Sequence, residues 1–186
     1  MERKKTESQL IDVPQIVTKT VSVWIVGTTP MIVCRMSEKA KHELLLPGGP
    51  KSAAQKQSSL KHDPIAEFKA APYTLTDESA PTYLAVMGAS VKKAMAQAAF
   101  DLPGSVKKAQ IGRLTWVEGE YLGIYGKPLL HMSIVRMADI NHTPDVRTRA
   151  ILPAWAMEVV VSFVTPMLQE QSIYNLISAA GVTNGL

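Results

Sequence analysis

Alternation and helical periodicity divide this chain into elements before any residue suggests chemistry. From Val17 to Val26, Val17, Lys19, Val21, Val23 and Ile25 share one side, with Thr18, Thr20, Ser22, Trp24 and Val26 on the other. That period of two predicts a β-strand, ended by Gly27-Thr28-Thr29-Pro30. Ser37 is placed to cap a short helix through Glu38, Lys39, Ala40, Lys41 and Glu43. Asp63-Pro64 opens another through Ile65, Phe68 and Lys69, closed by Pro72. Tyr83–Met87 is short and apolar. In Ser90–Phe100, Val91, Ala94, Met95 and Ala98 repeat at helical spacing, leaving Lys92, Lys93 and Gln97 outside.

Leu114–Val117 and Leu129–Met137 read as strands, separated by a Gly/Tyr turn region, Gly119 to Pro128. A polar Asp139–Asp145 segment leads into Val146–Ile151. Trp155–Val164 is the strongest strand pattern, with Trp155, Met157, Val159, Val161 and Phe163 on one side. The last helix, about Gln169–Ala180, carries Ile173, Leu176, Ile177 and Ala180, with Gly181 as its C-cap. The order predicts an α+β fold, an antiparallel sheet with helices against one face, in a decorated ferredoxin-like or RNA-recognition-type arrangement. Trp24, Trp155 and Phe163 are expected in the core.

Two stretches break the pattern. Residues 1–16 are polar and Lys-rich and read as a flexible arm before a single domain spanning 17–186. From Pro47 to Pro64 the chain has Pro, Gly, Ser, Gln and three lysines with almost nothing apolar, so a mobile insertion is expected there.

Composition narrows function only a little. Hydrophobic residues make up 46% and charged ones 19% of 186 residues, enough apolar content for a real core. Lys and Arg number 20 against 16 Asp and Glu, a net charge of +4, which permits a polyanionic partner without requiring one. Cys34 is the sole cysteine, so no internal disulfide forms and multi-thiolate zinc sites are excluded. A cytoplasmic setting is the expectation. No apolar run suits a membrane span and no secretory signal opens the chain.

Catalytic signals are weak. His42, His62, His131 and His142 lack metal-ligand spacing, no phosphate-binding glycine loop occurs, and Cys34 has no evident partner. We therefore expect no enzyme, no cofactor and no metal, although a histidine beside a carboxylate in a cleft would reopen the question.

Basic residues offer the better lead. Arg35, Lys39 and Lys41 follow the first strand's turn; Lys92, Lys93, Lys107, Lys108 and Arg113 surround the main helix; Arg147 and Arg149 stand two apart. In an extended segment that last spacing aims both guanidiniums to one side about 7 Å apart, close to the step between phosphates on a strand. Arginine contacts phosphate bidentately and stacks on bases. The bland alternatives are solvated charges at Lys92 and Lys93, and ion pairs of Arg147 or Arg149 with Asp139, Asp145 or Glu158. Tyr121 and Tyr125, in the Gly-rich turn, are candidates to stack on bases.

Val26-Gly27-Thr28-Thr29-Pro30-Met31-Ile32 followed by Arg35-Met36-Ser37-Glu38-Lys39-Ala40-Lys41, the Pro144–Trp155 stretch and the Ile173–Gly185 helix and turn resemble a family of tailed-phage proteins. The order is also similar to the RAMP superfamily, the RNA-binding backbone subunits of CRISPR effector complexes. That resemblance implies contacts to single-stranded RNA or DNA backbone, self-association, Arg35 and Lys39 as backbone contacts, and the Asp139–Ile151 hairpin as a projecting thumb. It also implies a closing strand after the last helix, whereas the sequence given ends five residues past Gly181. Two explanations stay open: a truncated chain, or a sheet edge completed by a partner or another copy. An interaction module docking through that edge is the alternative function.

Overall fold

The alternating residues of the strongest strand form the floor of the core. In a computed structural model that describes residues 15–36, Lys41, Leu45, 62–101, 107–136 and 144–185, Met157, Val159, Val161 and Phe163 are each 1% exposed or less. They lie on β9 (Trp155–Thr165), which pairs antiparallel along its whole length with β1 (Val17–Val26), from Val17↔Thr165 to Val26↔Ala156. The other side of β9 is shared by β5 (Thr115–Val117) and β6 (Tyr121–Gly126). β6 continues the sheet to β4 (Leu84–Met87) and β3 (Tyr73–Thr74). The six-stranded sheet therefore runs β1-β9-β6-β4-β3, with β1 and β3 outermost among the described strands.

Helices bury one side of this sheet. Val91 and Met95 of α2 (Gly88–Asp101), Ile111 of α3 (Lys108–Leu114), and Ile173, Leu176 and Ile177 of α4 (Glu170–Thr183) join Ile124, Val159, Val161 and Phe163 in one apolar cluster. α2 and α4 present apolar stripes to the sheet because side chains three and four apart lie together, while α3 contributes Ile111 alone. The protein is thus α+β, with antiparallel pairing throughout the described strands.

A second sheet departs from the single one expected. β2 (Met31–Val33), β8 (Pro144–Leu152) and β7 (Leu129–Arg136) form a three-stranded unit in the order β2-β8-β7. Three short chain segments cross between the sheets, Gly27–Pro30, Lys127–Pro128 and Pro153–Ala154, besides the longer connection from β2 to β3. The first of them packs on Trp155. Its indole Nε1–H donates to the Thr29 carbonyl at 2.9 Å, and its own carbonyl accepts from the Gly27 N–H at 2.9 Å. A Cβ on Gly27 would sit 2.2 Å from the indole ring, so only glycine lets the first crossing pass this close.

Other expectations are corrected locally. The Gly119–Pro128 region is not a turn throughout but contains β6, whose Leu122 and Ile124 point inward. The basic stretch after Asp101 contains α3, and β5 starts at Thr115. The last helix runs through Gly181 to Thr183, with Asn184 at its C-cap. Asp63 caps α1 (Pro64–Ala70) as expected, accepting from the Ile65 and Ala66 N–H groups at 3.1 and 3.0 Å. Trp155 and Phe163 are core, but Trp24 is 56% exposed. Lys41 and Leu45 are helical, while the Ser37 cap, residues 1–14, the insertion up to Lys61 and the tip at 137–143 lie outside the described residues.

Candidate nucleic-acid interface

The smaller sheet turns period two into a cluster of cations. Arg147 and Arg149 pair with Ser133 and His131 of β7, so both project from the same side of the β7–β8 hairpin. Arg35 follows β2, and its backbone N–H donates to the Ala71 carbonyl at 2.7 Å, fixing this segment to the end of α1. All three arginines line one open cleft of about 420 Å³, together with Cys34, Glu67 and Thr148. Three positions separated by up to 114 residues in sequence thus meet at one concavity. Lys39 lies outside the described residues.

A carboxylate–histidine chain supports one wall. Asp145 is 6% exposed. Its Oδ2 lies 3.3 Å from Nη2 of Arg147, and its Oδ1 lies 3.0 Å from Nε2 of His62. His62 Nδ1 is in turn 2.7 Å from Oε1 of Glu67. Glu67, and then Asp145, holds the His62 imidazolium above histidine's ordinary range, against the weaker opposing effect of burial. Of the acids weighed as partners for the arginine pair, Asp145 takes Arg147. Half of the Arg147 side chain nevertheless remains exposed, so its guanidinium has further N–H donors to offer a ligand.

His62 is a histidine flanked by two carboxylates, the feature that would reopen an enzymatic reading. Both its ring nitrogens are engaged by those carboxylates. Among the described residues, Cys34 Sγ hydrogen-bonds the Arg35 carbonyl, at 3.9 Å. Among the described residues no group of three or more His, Cys, Asp and Glu side chains is placed to hold a metal ion.

The second basic group sits elsewhere. Lys92 and Lys93 belong to α2, Lys107 precedes α3, and Lys108 and Arg113 lie on it. Lys108 Nζ donates to Gln97 Oε1 at 2.6 Å, bridging the two helices. None of these five residues lines the arginine cleft. They decorate the helical layer, with Lys93, Lys107, Lys108 and Arg113 exposed and Lys92 half-buried.

The large sheet's other face holds aromatic residues that periodicity could not orient. Trp24 lies opposite Glu158, Trp116 opposite Ser162 and Tyr125 opposite Ala156, all on the side away from Val159 and Val161. Trp24 packs on Tyr125 and Tyr73 on Tyr121, each pair with ring centroids 5.7 Å apart. Trp24, Trp116, Tyr121 and Tyr125 are 56, 43, 40 and 37% exposed. Tyr121 and Tyr125 are therefore accessible as expected, but from a strand. No helix among the described residues is long and apolar enough to cross a membrane. No protein-family model matches this chain, and no curated protein matches it.

Proposed function

We propose that this protein is a non-enzymatic, RAMP-like module that grips the backbone of single-stranded RNA or DNA and assembles into oligomers, in a phage-related and cytoplasmic setting. The observation that carries the reading is the convergence of Arg35, Arg147 and Arg149 on one cleft. Two arginines at strand spacing meet successive phosphates, and the third closes the cleft from β2. Glu67 and Asp145 raise the pKa of His62, and its protonated form offsets part of their negative charge. The β7–β8 hairpin supports the thumb implied by the resemblance. The antiparallel sheet with helices on one face is compatible with a modified RNA-recognition fold, from which the outermost position of β1 is a departure.

The test is fluorescence anisotropy with labelled single-stranded RNA and DNA oligonucleotides at two salt concentrations. Binding that weakens steeply with salt is expected, because phosphate neutralisation releases counterions. No binding at low salt, or binding indifferent to salt, contradicts the reading.

A further inference from the structure

The open face of the six-stranded sheet holds a second cleft whose chemistry is opposite to the first. It measures about 240 Å³, and Tyr121, Tyr125, Glu118 and Glu158 line it with Thr82 and Leu75. Gly123 forms part of its lining, where Thr82 and Leu75 approach so closely that a Cβ would lie 3.1 and 3.6 Å from them. No Lys, Arg or His is among the lining residues.

The two carboxylates are held, yet not neutralised. Ser162 donates to Glu118 Oε1 at 2.6 Å and Ser22 donates to Glu158 Oε1 at 2.5 Å. Each bond fixes its carboxylate on the sheet surface. Neither glutamate pairs with a cation among the described residues, and the second oxygen of each has no described partner. Glu118 and Glu158 are both exposed, and beside the rings of Tyr121 and Tyr125 they give this cleft a negative charge complementary to a cation that can also lie on an aromatic face. A nucleic-acid backbone would meet like charge here.

We propose that this cleft docks an arginine side chain presented by an extended segment of a partner protein. A guanidinium is planar, so it lies against a tyrosine face while its fork of N–H donors reaches the free carboxylate oxygens. Trp24, packed on Tyr125, flanks the cleft as apolar surface for the rest of the segment. This docking does not depend on the arginine cleft of the smaller sheet and goes beyond nucleic-acid binding.

The test uses the full chain, isotopically labelled, with the Trp24 and Trp116 indole N–H signals followed by NMR. The probe is the peptide acetyl-Gly-Ser-Arg-Gly-Arg-Ser-Gly-amide, beside the same peptide carrying citrulline, which keeps the shape and removes the charge. Saturable shifts with the arginine peptide are expected, at least roughly tenfold weaker for the citrulline peptide. Glu118→Gln with Glu158→Gln should weaken the arginine peptide by a similar factor, and Tyr125→Leu should weaken it too. Arg147→Ala with Arg149→Ala should leave it unchanged. Equal affinity for both peptides, or no saturable shift, overturns the proposal. So does a single-stranded oligonucleotide that shifts the same signals and displaces the peptide, which would make the face a base-stacking surface instead.

Discussion

Replacing Gly27 by alanine tests how the two sheets are joined. The new methyl group would stand 2.2 Å from Cε2 and Nε1 of Trp155, and 2.7 Å from Cδ1. Trp155 is 5% exposed and cannot swing aside without leaving the core. Overpacking of this kind costs about 2 kcal/mol. Moving the indole also breaks its hydrogen bond to the Thr29 carbonyl, which adds about 1 kcal/mol. The sum of about 3 kcal/mol corresponds to a fall in melting temperature of roughly 6–12 °C for a chain of this size. Thermal melting followed by circular dichroism, with near-ultraviolet signal from the tryptophans, measures it. A melting temperature within about 2 °C of the unmodified protein would refute the close passage of the first crossing against Trp155.

Three further outcomes probe other parts of the structure. Gly181→Ala should raise stability by roughly 0.5–1 kcal/mol, because Gly181 lies within α4 with nothing within 4 Å of its missing Cβ; destabilisation in urea would restore it as a left-handed cap. Asp145→Ala removes the shared partner of His62 and Arg147 and should cost about 1.5 kcal/mol, because both partners left behind keep access to water; a loss under about 0.5 kcal/mol in the same assay would show that the network is not holding α1 to β8. His62 is raised in the folded state from its ordinary value of 6.5, so its stabilising effect is complete below that pH and is lost as pH rises through the folded value. Melting temperature should therefore fall more steeply with rising pH above 6.5 in the unmodified protein than in His62→Gln, and parallel profiles would contradict the paired imidazolium.

Local periodicity made β1, α2, β9 and α4 legible, because each buries one regular stripe, whereas α1, with no buried residue, was legible from its Asp63-Pro64 start. The Arg147/Arg149 pair was legible for the same reason: two residues apart on a strand means one side, wherever the strand lies. Periodicity does not say which side is covered. Trp24 shares a strand with the buried Val21, and the assignment of Trp24 to the core failed on that ambiguity. β6 was hidden because Gly123 and Gly126 look like turn residues, whereas each admits a close neighbour, Thr82 in one case and the Ala154 carbonyl in the other. α3 is only two turns long and buries Ile111 alone, too little to register as an apolar stripe. The split into two sheets depends on contacts around Trp155 between positions more than 120 residues apart, and no local pattern encodes that. His62 fell at the end of a polar stretch, and only its distant partner Asp145 marks it out.

The most direct measurement compares single-stranded RNA binding by the unmodified protein with Arg147→Ala/Arg149→Ala across a salt series. The expected result is an affinity loss of at least roughly tenfold at low salt and a salt slope shallower by up to about 2, one for each phosphate contact removed, with the variant still folded at the assay temperature although Asp145 loses its Arg147 partner. Unchanged affinity and slope in that variant would contradict the arginine cleft as the nucleic-acid site. The contradiction would be sharper still if neutralising Lys92, Lys93, Lys107, Lys108 and Arg113 abolished binding instead.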